Sequence, residues 1–379
     1  MPDDGKPPNF TPIAQSPVDT PDRPLINARM LGQNRQEQLL REHILADYGI
    51  QVELGTELKS FEQQPDHVLA HVVKIVDSKT VEESFTVDWL VGTDGARGVV
   101  RKQLGLTFLG ETSTLFDLET VRSGRAGPTQ PMSIVPLADR HFSPNLAWKL
   151  TPAQKKLAPQ SLLDSYSQER LPVIVARVML NKTTEPFQKE FVGKAGQKQE
   201  FVRGYELRQL GINYRGAPLV SDEKYTDKDE VNDPYHSGDD GTVRAGDRAP
   251  DAPCLAQLGV DETSSTVSLF DLLNTTQHSA LVFPGSTGRD FADEIIGTLR
   301  EYPSNLLKSI FILPRASDPA SSFTFSDTTL VDTEGHAYSG YDVAHDTPTV
   351  FIVRPDGYIG ALVTSGRLGI HNYFLRIFL

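Results

Sequence analysis

A short run of charged and glycine residues near residue 95 carries the clearest potential for chemistry in this chain. Asp94 and Gly95 follow an apolar run, and Arg97 and Arg101 follow them closely. A carboxylate can accept hydrogen bonds from ribose hydroxyls, and guanidinium groups pair well with a pyrophosphate. Glycine lets the backbone turn tightly and approach a ligand. The run therefore predicts a nucleotide-binding turn, although an Asp-Gly pair by itself strongly favours a plain turn.

The residues on either side of this turn predict the elements that would position it. Val87 to Val91 form an apolar run with β-branched residues, which predicts a buried strand. After the turn at Gly92 to Gly95, apolar residues recur at helical spacing from Val99 to Leu104, and Gly105 stands where a C-cap glycine would. Strand, glycine turn and helix in this order present backbone N–H groups to a phosphate in α/β folds.

The wider string resembles a known nucleotide motif. V-G-x-D-G-A-R-x-x-V-R, followed by Q-L-G-x-x-F-x-G, is similar to the second nucleotide motif of the flavin-dependent aromatic-ring hydroxylases, the group of phenol hydroxylase and p-hydroxybenzoate hydroxylase. In that family the Asp-Gly pair lies near the pyrophosphates of FAD and NAD(P)H. The resemblance therefore implies cofactor contacts for Asp94, Gly95, Arg97 and Arg101. The family usually has serine where this chain has Gly98.

An earlier segment carries the same resemblance. The string LGQNRQEQLLREHILADYGIQVELGTEL predicts an amphipathic helix that leads in at Gln33, ends near Tyr48 and stops at Gly49. In the hydroxylases a glutamine at the head of this helix approaches FAD, and that glutamine maps to Gln33. The strand-like runs that follow suit the β-meander that the family inserts in its FAD domain.

Three later segments extend the resemblance. N-L-A-W-K-L, which ends at Leu150, and L-L-D-S-Y-S-x-E-R-x-P-V both resemble hydroxylase segments, and the second predicts a helix interrupted at Pro172. From Arg244 onward, strand and helix signals with GHAYSGY and RPDGYIGA resemble the thioredoxin-like domain at the C-terminus of the phenol-type hydroxylases. There the Pro355-Asp356-Gly357 turn predicts a hairpin.

Together these segments predict an α/β fold with a partial FAD-binding, hydroxylase-type domain followed by a C-terminal thioredoxin-like domain. Residues 1–24 are rich in proline and predict a disordered tail. We expect the partial FAD-binding domain over residues 25–180, a linker over 181–242 and the thioredoxin-like domain over 243–379.

Composition restricts the classes of partner. The chain has 379 residues and a formal net charge of −13, which argues against nucleic acid as the main partner. No apolar run approaches the length of a membrane span, and no signal peptide opens the chain, so we expect a cytoplasmic protein without membrane contacts. His67 and His71 lack further ligands nearby, so no metal site is expected.

Two motifs of the hydroxylases are not found in this chain. No G-x-G-x-x-G occurs anywhere in the sequence, although a dinucleotide fold needs it for close backbone approach to the pyrophosphate. The segment before Asn145 also lacks most of the Gly-Asp loop and the substrate sheet of the family. We therefore expect a truncated relative with weak or no activity, and no catalytic residue is assigned.

The resemblance implies a flavoprotein oxidoreductase that uses FAD, NAD(P)H and O2 to hydroxylate a small phenolic substrate. The alternative is a non-catalytic interaction protein whose thioredoxin-like end forms a homodimer. A third hypothesis, a thiol redox module, depends on Cys254, the only cysteine. Reactive cysteines of thioredoxins follow the first core strand, and Cys254 lies too early for that position, so the sequence predicts an inert thiol.

Overall fold

The computed structural model describes residues 18–24, 31–95, 98–106, 142–176, 211–225, 233–235, 242–258, 266–285, 289–315 and 327–378. The chain divides into two compact units. The meander unit comprises Arg29–Gly127, and the C-terminal unit comprises Met1–Ala28 together with Pro128–Leu379. No helix within the described ranges is long and apolar enough to cross a membrane.

The meander unit is an antiparallel three-stranded sheet flanked by two helices in the chain order. Its elements are α1 (Gln33–Tyr48), β1 (Thr56–Gln63), β2 (Val68–Val76), β3 (Lys79–Val87) and α2 (Val99–Gln103), with the strands in the order β1-β2-β3. The predicted first helix is confirmed. It ends at Gly49, whose φ of 65° is the left-handed conformation that glycine adopts without strain.

The predicted buried strand from Val87 to Val91 is wrong beyond its first residue. β3 ends at Val87, and residues 88–93 form no strand. Val87 pairs with Val68, the first residue of β2, so the chain runs past the end of its neighbour and has no further ladder to join. Trp89 and Val91 are 39% and 49% exposed as a result. The Asp94 turn thus follows an irregular segment rather than a core strand.

The C-terminal unit is built around a seven-stranded sheet in the order β4-β10-β9-β6-β7-β8-β5. Its strands are β4 (Ser221–Asp222), β5 (Leu255–Gln257), β6 (His278–Phe283), β7 (Leu307–Pro314), β8 (Thr328–Asp332), β9 (Thr349–Val353) and β10 (Ile359–Val363). The helices are α3 (Phe142–Gln154), α4 (residues 161–176), α5 (Leu269–Leu272), α6 (Arg289–Leu299), α7 (His336–Gly340) and α8 (Arg367–Phe374). β6, β7 and β8 run parallel, whereas β9 is antiparallel to both β6 and β10.

Both faces of this sheet are buried, and alternate residues of β6 contribute to the core on each face. Every residue of the strand is buried. Ala280 and Val282 face the core that contains residues of α3, α4, α6 and α8, and Leu281 and Phe283 face the core that contains residues of α5 and α7. Successive strand residues point to opposite faces, so a strand covered on both sides becomes a continuous apolar run. The predicted β9–β10 hairpin is confirmed, with the Gly357 N–H donating to the Arg354 carbonyl at 2.9 Å.

Helix α4 departs from the sequence expectation because it continues through Pro172. Proline removes one backbone hydrogen bond, which would go to the carbonyl of Gln168. Both residues are exposed on the same part of the helix, so water can hydrogen-bond to that carbonyl. The prediction of an interruption at Pro172 is therefore wrong for the described range of the helix.

Two segments outside the predicted core pack against the C-terminal unit. Residues 18–24 form a turn whose Asp22 carbonyl accepts a hydrogen bond from Asp251 N at 2.9 Å. Within the segment predicted as a linker, Ile212, Tyr214 and Leu219 are buried and β4 joins the sheet. Both segments therefore contribute to the body of this unit.

Candidate functional site

The candidate nucleotide turn lies in the meander unit at the start of α2. Asp94 Oδ2 accepts a hydrogen bond from Val100 N at 3.2 Å, and Gly98 N donates to the Gly95 carbonyl at 3.0 Å. The first N–H groups of a helix lack partners within the helix, so a carboxylate just before it satisfies one of them. Gly95 has a φ of 74° and open space around it. Asp94 therefore caps α2, and the backbone at Gly95 stays accessible.

Glycines allow the turn to lie against α2. A Cβ at Gly98 would overlap the Asp94 carboxylate, and a Cβ at Gly92 would lie 2.7 Å from Val100 Cγ1. The serine usual in the hydroxylases at position 98 is thus incompatible with the Asp94 side chain as it is placed here. Gly98 leaves room for the carboxylate to cap the helix while the turn itself is exposed.

The other predicted site residues have different partners. Gln33 Nε2 donates to Glu37 Oε1 at 2.8 Å on the exposed surface of α1. Arg101 Nη1 donates to the Leu106 carbonyl at 2.5 Å, which helps to close the end of α2. Arg97 lies outside the described residues. In the part of the chain that the structure describes, no hydrogen bond joins Gln33 to the Asp94 turn, so a shared cofactor contact stays a prediction.

The residues at this turn fit part of a dinucleotide cofactor. Asp94 offers a carboxylate for ribose hydroxyls, and among the described residues beyond its chain neighbours no atom lies within 4 Å of the position that a Cβ at Gly95 would take. Arg101 lies in α2, directly after the turn, and supplies a positive charge, although its Nη1 donates to the Leu106 carbonyl. Among the described residues, no group of His, Cys, Asp and Glu could hold a metal ion.

A separate cavity of about 440 Å³ lies in the C-terminal unit. Asp22, Arg248 and His336 are among its lining residues. None of the described candidate residues lines it. The cavity therefore adds nothing to the nucleotide assignment.

Sequence reasoning missed a buried ion network in the C-terminal unit. Arg354 Nη1 and Nη2 donate to Glu169 Oε1 and Oε2 at 2.9 and 3.0 Å. Lys149 Nζ donates to Glu169 Oε2 at 2.8 Å. Arg354 Nε donates to Asp356 Oδ1 at 3.1 Å. The side chains of Lys149, Glu169 and Arg354 are 0% exposed. Two cations and two carboxylates thus neutralise one another away from water.

The network joins three parts of the chain that lie far apart in sequence. Asn145 and Trp148, both on α3, donate to Asp356 Oδ2 at 3.1 Å. Glu169 comes from α4, and Asp356 lies in the turn between β9 and β10. Two charged residues next to apolar runs indicate this network in the sequence: Lys149 within N-L-A-W-K-L, and Arg354 directly after the buried strand β9. A charge in an apolar run needs a buried partner.

The environment lowers the pKa values of both Glu169 and Lys149, but for different reasons. Burial by itself would raise the pKa of Glu169, but the charges of Arg354 and Lys149 outweigh it and lower the pKa to about 2. Burial lowers the pKa of Lys149 to about 8, with a further contribution from the Arg354 charge. These groups are shielded from solvent, so they hold α3 and α4 to the hairpin rather than meet a substrate.

His278, the first residue of β6, is buried beside the network. Its ring makes edge contacts with Trp148 at 5.3 Å and with Phe374 at 5.6 Å between centroids. Among the described residues, no group forms a hydrogen bond with its Nε2. Burial, together with the Arg354 charge, lowers the pKa of His278 to about 3, so the imidazole is neutral at physiological pH.

Comparison with known proteins finds similarity to FAD-binding monooxygenases. Residues 15–131 match the FAD binding domain family. A flavin-dependent monooxygenase of Mycobacteroides abscessus is 30% identical over 233 residues, which are 62% of this chain and 34% of that protein. The 6-methylpretetramide 4-monooxygenase of Streptomyces rimosus is 41% identical over 93 residues, 24% of this chain and 16% of that protein. The matches thus span about a third or less of these relatives.

The fold has a counterpart among solved structures. The flavin-dependent monooxygenase PieE, determined in complex with FAD and substrate, aligns with a TM-score of 0.60 at 16% identity, over 91% of this chain and 80% of that chain. This likeness concerns the fold, and it agrees with the mixed α/β architecture expected from the sequence. The chain is therefore similar to flavin-dependent monooxygenases, and residues 15–131, which match the FAD binding domain family, contain both Gln33 and the Asp94 turn.

Proposed function

We propose that this chain is an FAD-dependent monooxygenase-like protein that acts weakly, because of its missing motifs, on a small phenolic ring with NAD(P)H as reductant and O2 as co-substrate. The observation that carries the proposal is the match of residues 15–131 to the FAD binding domain, since it encloses the Asp94 turn. The two curated relatives described above are both named as monooxygenases, and one of them acts on 6-methylpretetramide by its name.

The residues of the meander unit would bind and orient the cofactor. Asp94 would accept hydrogen bonds from a ribose hydroxyl, and the open backbone at Gly95 would allow the pyrophosphate to approach. Arg97 and Arg101 would offset the charge of the phosphates. Gln33, at the start of α1, would contact the same cofactor from a second element. When bound, FAD supplies the oxygen chemistry, while the protein supplies placement.

The visible spectrum of the purified chain tests this proposal. After incubation with FAD and removal of free flavin, we expect flavin absorption to stay with the protein. Oxidation of NADH or NADPH should then increase when a phenol is added. A protein that retains no flavin after this treatment would contradict the proposal, whatever its fold.

A second candidate function rests on the sheet of the C-terminal unit. The order β10-β9-β6-β7, with α6 between β6 and β7 and α8 after β10, supports a thioredoxin-like domain. The second candidate function is that this domain forms a homodimer. The residues that follow β6 are Pro-Gly-Ser-Thr-Gly, a sequence without the cysteine that thiol chemistry needs. Sedimentation of the flavin-free chain at micromolar concentration tests this candidate. A monomer would contradict it.

A further inference from the structure

Strand β1 forms one edge of the meander sheet. Phe61 lies on it and pairs with Ala70 of β2. An edge strand leaves a row of backbone N–H and C=O groups without a neighbouring strand. Phe61 is 7% exposed, so water has little access to its outward groups. These two groups therefore need partners from elsewhere in the protein.

The side chain of Gln103 supplies both partners. Phe61 N donates to Gln103 Oε1 at 3.1 Å, and Gln103 Nε2 donates to the Phe61 carbonyl. The side-chain amide thus has the donor and acceptor pattern of a backbone peptide group in a further strand. Gln103 is the last residue of α2, so the contact anchors one end of this helix on the sheet.

The other end of α2 holds the candidate nucleotide turn. Val100 N is capped by Asp94, and the Val100 side chain fills the space beside Gly92. Because α2 is only 5 residues long, the two hydrogen bonds between Gln103 and Phe61 restrict the motion of the whole helix. The contacts form a continuous path from Phe61 through Gln103 and Val100 to Asp94.

We propose that Gln103 is a positioning residue that fixes the Asp94 turn by pairing with the edge of β1. Its consequence for a ligand rests on the proposed function, because a fixed Asp94 carboxylate loses less freedom when it binds a ribose. The hydrogen bonds between Gln103 and Phe61 do not depend on a ligand. Glutamine suits this role because its side-chain amide offers a donor and an acceptor at the same reach.

Gln103→Leu tests the proposal, with Lys102→Leu as the matched control on the same helix. In Gln103→Leu, we expect the amides of Phe61 and of residues 92–104 to exchange with solvent about tenfold faster, because a buried backbone pair loses its partners. Exchange over β9 and β10 should be unchanged. FAD should bind about tenfold more weakly, and a titration monitored by FAD fluorescence measures this affinity. Lys102→Leu should behave as the parent chain in both measurements.

Gln103→Glu distinguishes loss of the hydrogen bonds with Phe61 from unfolding of the whole unit. Its carboxylate can accept from Phe61 N but cannot donate to the Phe61 carbonyl. After correction for the intrinsic pH dependence of exchange, protection should recover at acidic pH, where the protonated carboxyl regains a donor. Parent-like exchange at residues 92–100 in Gln103→Leu would overturn the proposal. Faster exchange with unchanged FAD affinity would overturn it as well. If the parent chain binds no FAD, the proposed function falls and exchange at residues 92–100 decides alone.

Discussion

Arg354 pairs in a two-point contact with Glu169, which lies 185 residues earlier in the chain, through bonds of 2.9 and 3.0 Å. Parallel N–H···O bonds between a guanidinium and a carboxylate are strong and fix the mutual orientation of the two groups. Both side chains are fully buried. Helix α4, which carries a hydroxylase-like segment, is therefore part of the same packed body as the β9–β10 hairpin.

Glu169→Gln should strongly destabilise the C-terminal unit. The substitution keeps the shape of the side chain but removes the negative charge that Arg354 and Lys149 share. Removing one partner of a buried ion pair leaves uncompensated charge, which costs about 3–5 kcal/mol in the free energy of unfolding. Urea denaturation followed by circular dichroism measures this loss.

Glu301→Gln is the control for that experiment. Glu301 lies 3.0 Å from Arg367 on the surface, where the two side chains are 45% and 58% exposed. Exposed pairs contribute about 0–1 kcal/mol, so this variant should unfold close to the parent chain. Equal losses in the two variants would contradict the role assigned to the buried network.

His278→Phe should reduce the loss of stability in mild acid. The folded-state pKa of His278 is about 3, below the ordinary value of 6.5. Below pH 6.5 the unfolded chain therefore binds a proton that the folded chain cannot, and stability falls as the pH falls from 6.5 toward 3. Between about pH 7.5 and pH 5.5 the histidine accounts for about 1–2 kcal/mol of that fall. Phenylalanine suits the surrounding aromatic rings and does not titrate.

The measurement is the free energy of unfolding of both proteins at the two pH values. Glu169 also titrates, but its pKa is lowered to about 2 from 4.5, so its contribution is lost only below about pH 4.5. The two effects overlap only below about pH 4.5, so between pH 7.5 and pH 5.5 His278 acts without Glu169. An identical pH dependence in His278→Phe and the parent chain would show that another group is responsible.

Local patterns in the sequence predicted the elements that depend on nearby residues. Helix α1 with its stop at Gly49, helix α2 before Gly105, and the β9–β10 hairpin all follow from spacing, glycine and turn chemistry. The end of β3 could not be predicted in this way. It depends on where the partner strand β2 begins, at Val68, and that pairing is not encoded in the apolar run itself.

In the candidate site, too, local sequence predicted some features, whereas others depend on contacts formed in the folded chain. The composition of the motif identified Asp94 and Gly95 as a turn at the start of a helix. The position of the carboxylate on Val100, and the dependence of that contact on Gly98, are products of packing. The sequence signalled that Lys149 and Arg354 need buried partners, but it could not identify Glu169 as that partner, because Glu169 and Arg354 meet only in the folded chain.

Asp94→Asn should separate capping from cofactor binding. The amide oxygen of asparagine can still accept from Val100 N, so α2 should keep its N-terminal cap. The loss of charge weakens the hydrogen bond to a ribose hydroxyl, since bonds to ionised acceptors are roughly twice as strong. We expect FAD to bind about tenfold more weakly, with exchange of the α2 amides unchanged. Asp94→Ala should lose both properties.

Asp77→Asn is the matched control, because Asp77 lies in the β2–β3 turn at a φ of 48° that asparagine tolerates. It should bind FAD as the parent chain does. Parent-like FAD affinity in Asp94→Asn would contradict a contact between this carboxylate and the cofactor.

The Cys254 thiol should react slowly with alkylating reagents at neutral pH. Its pKa is raised above the ordinary value by loss of solvation, and the neighbouring carboxylates of Glu334 and Asp332 act in the same direction. A raised thiol pKa lowers the thiolate fraction, and the thiolate is the reactive form. We expect iodoacetamide to label the folded chain more slowly than the guanidine-unfolded chain at neutral pH. The rate on the folded chain should keep rising to a higher pH. Cys254→Ser should leave flavin binding unchanged. Labelling of the folded chain faster than that of the unfolded chain would mean an activated thiol and would revive the redox hypothesis for this unit.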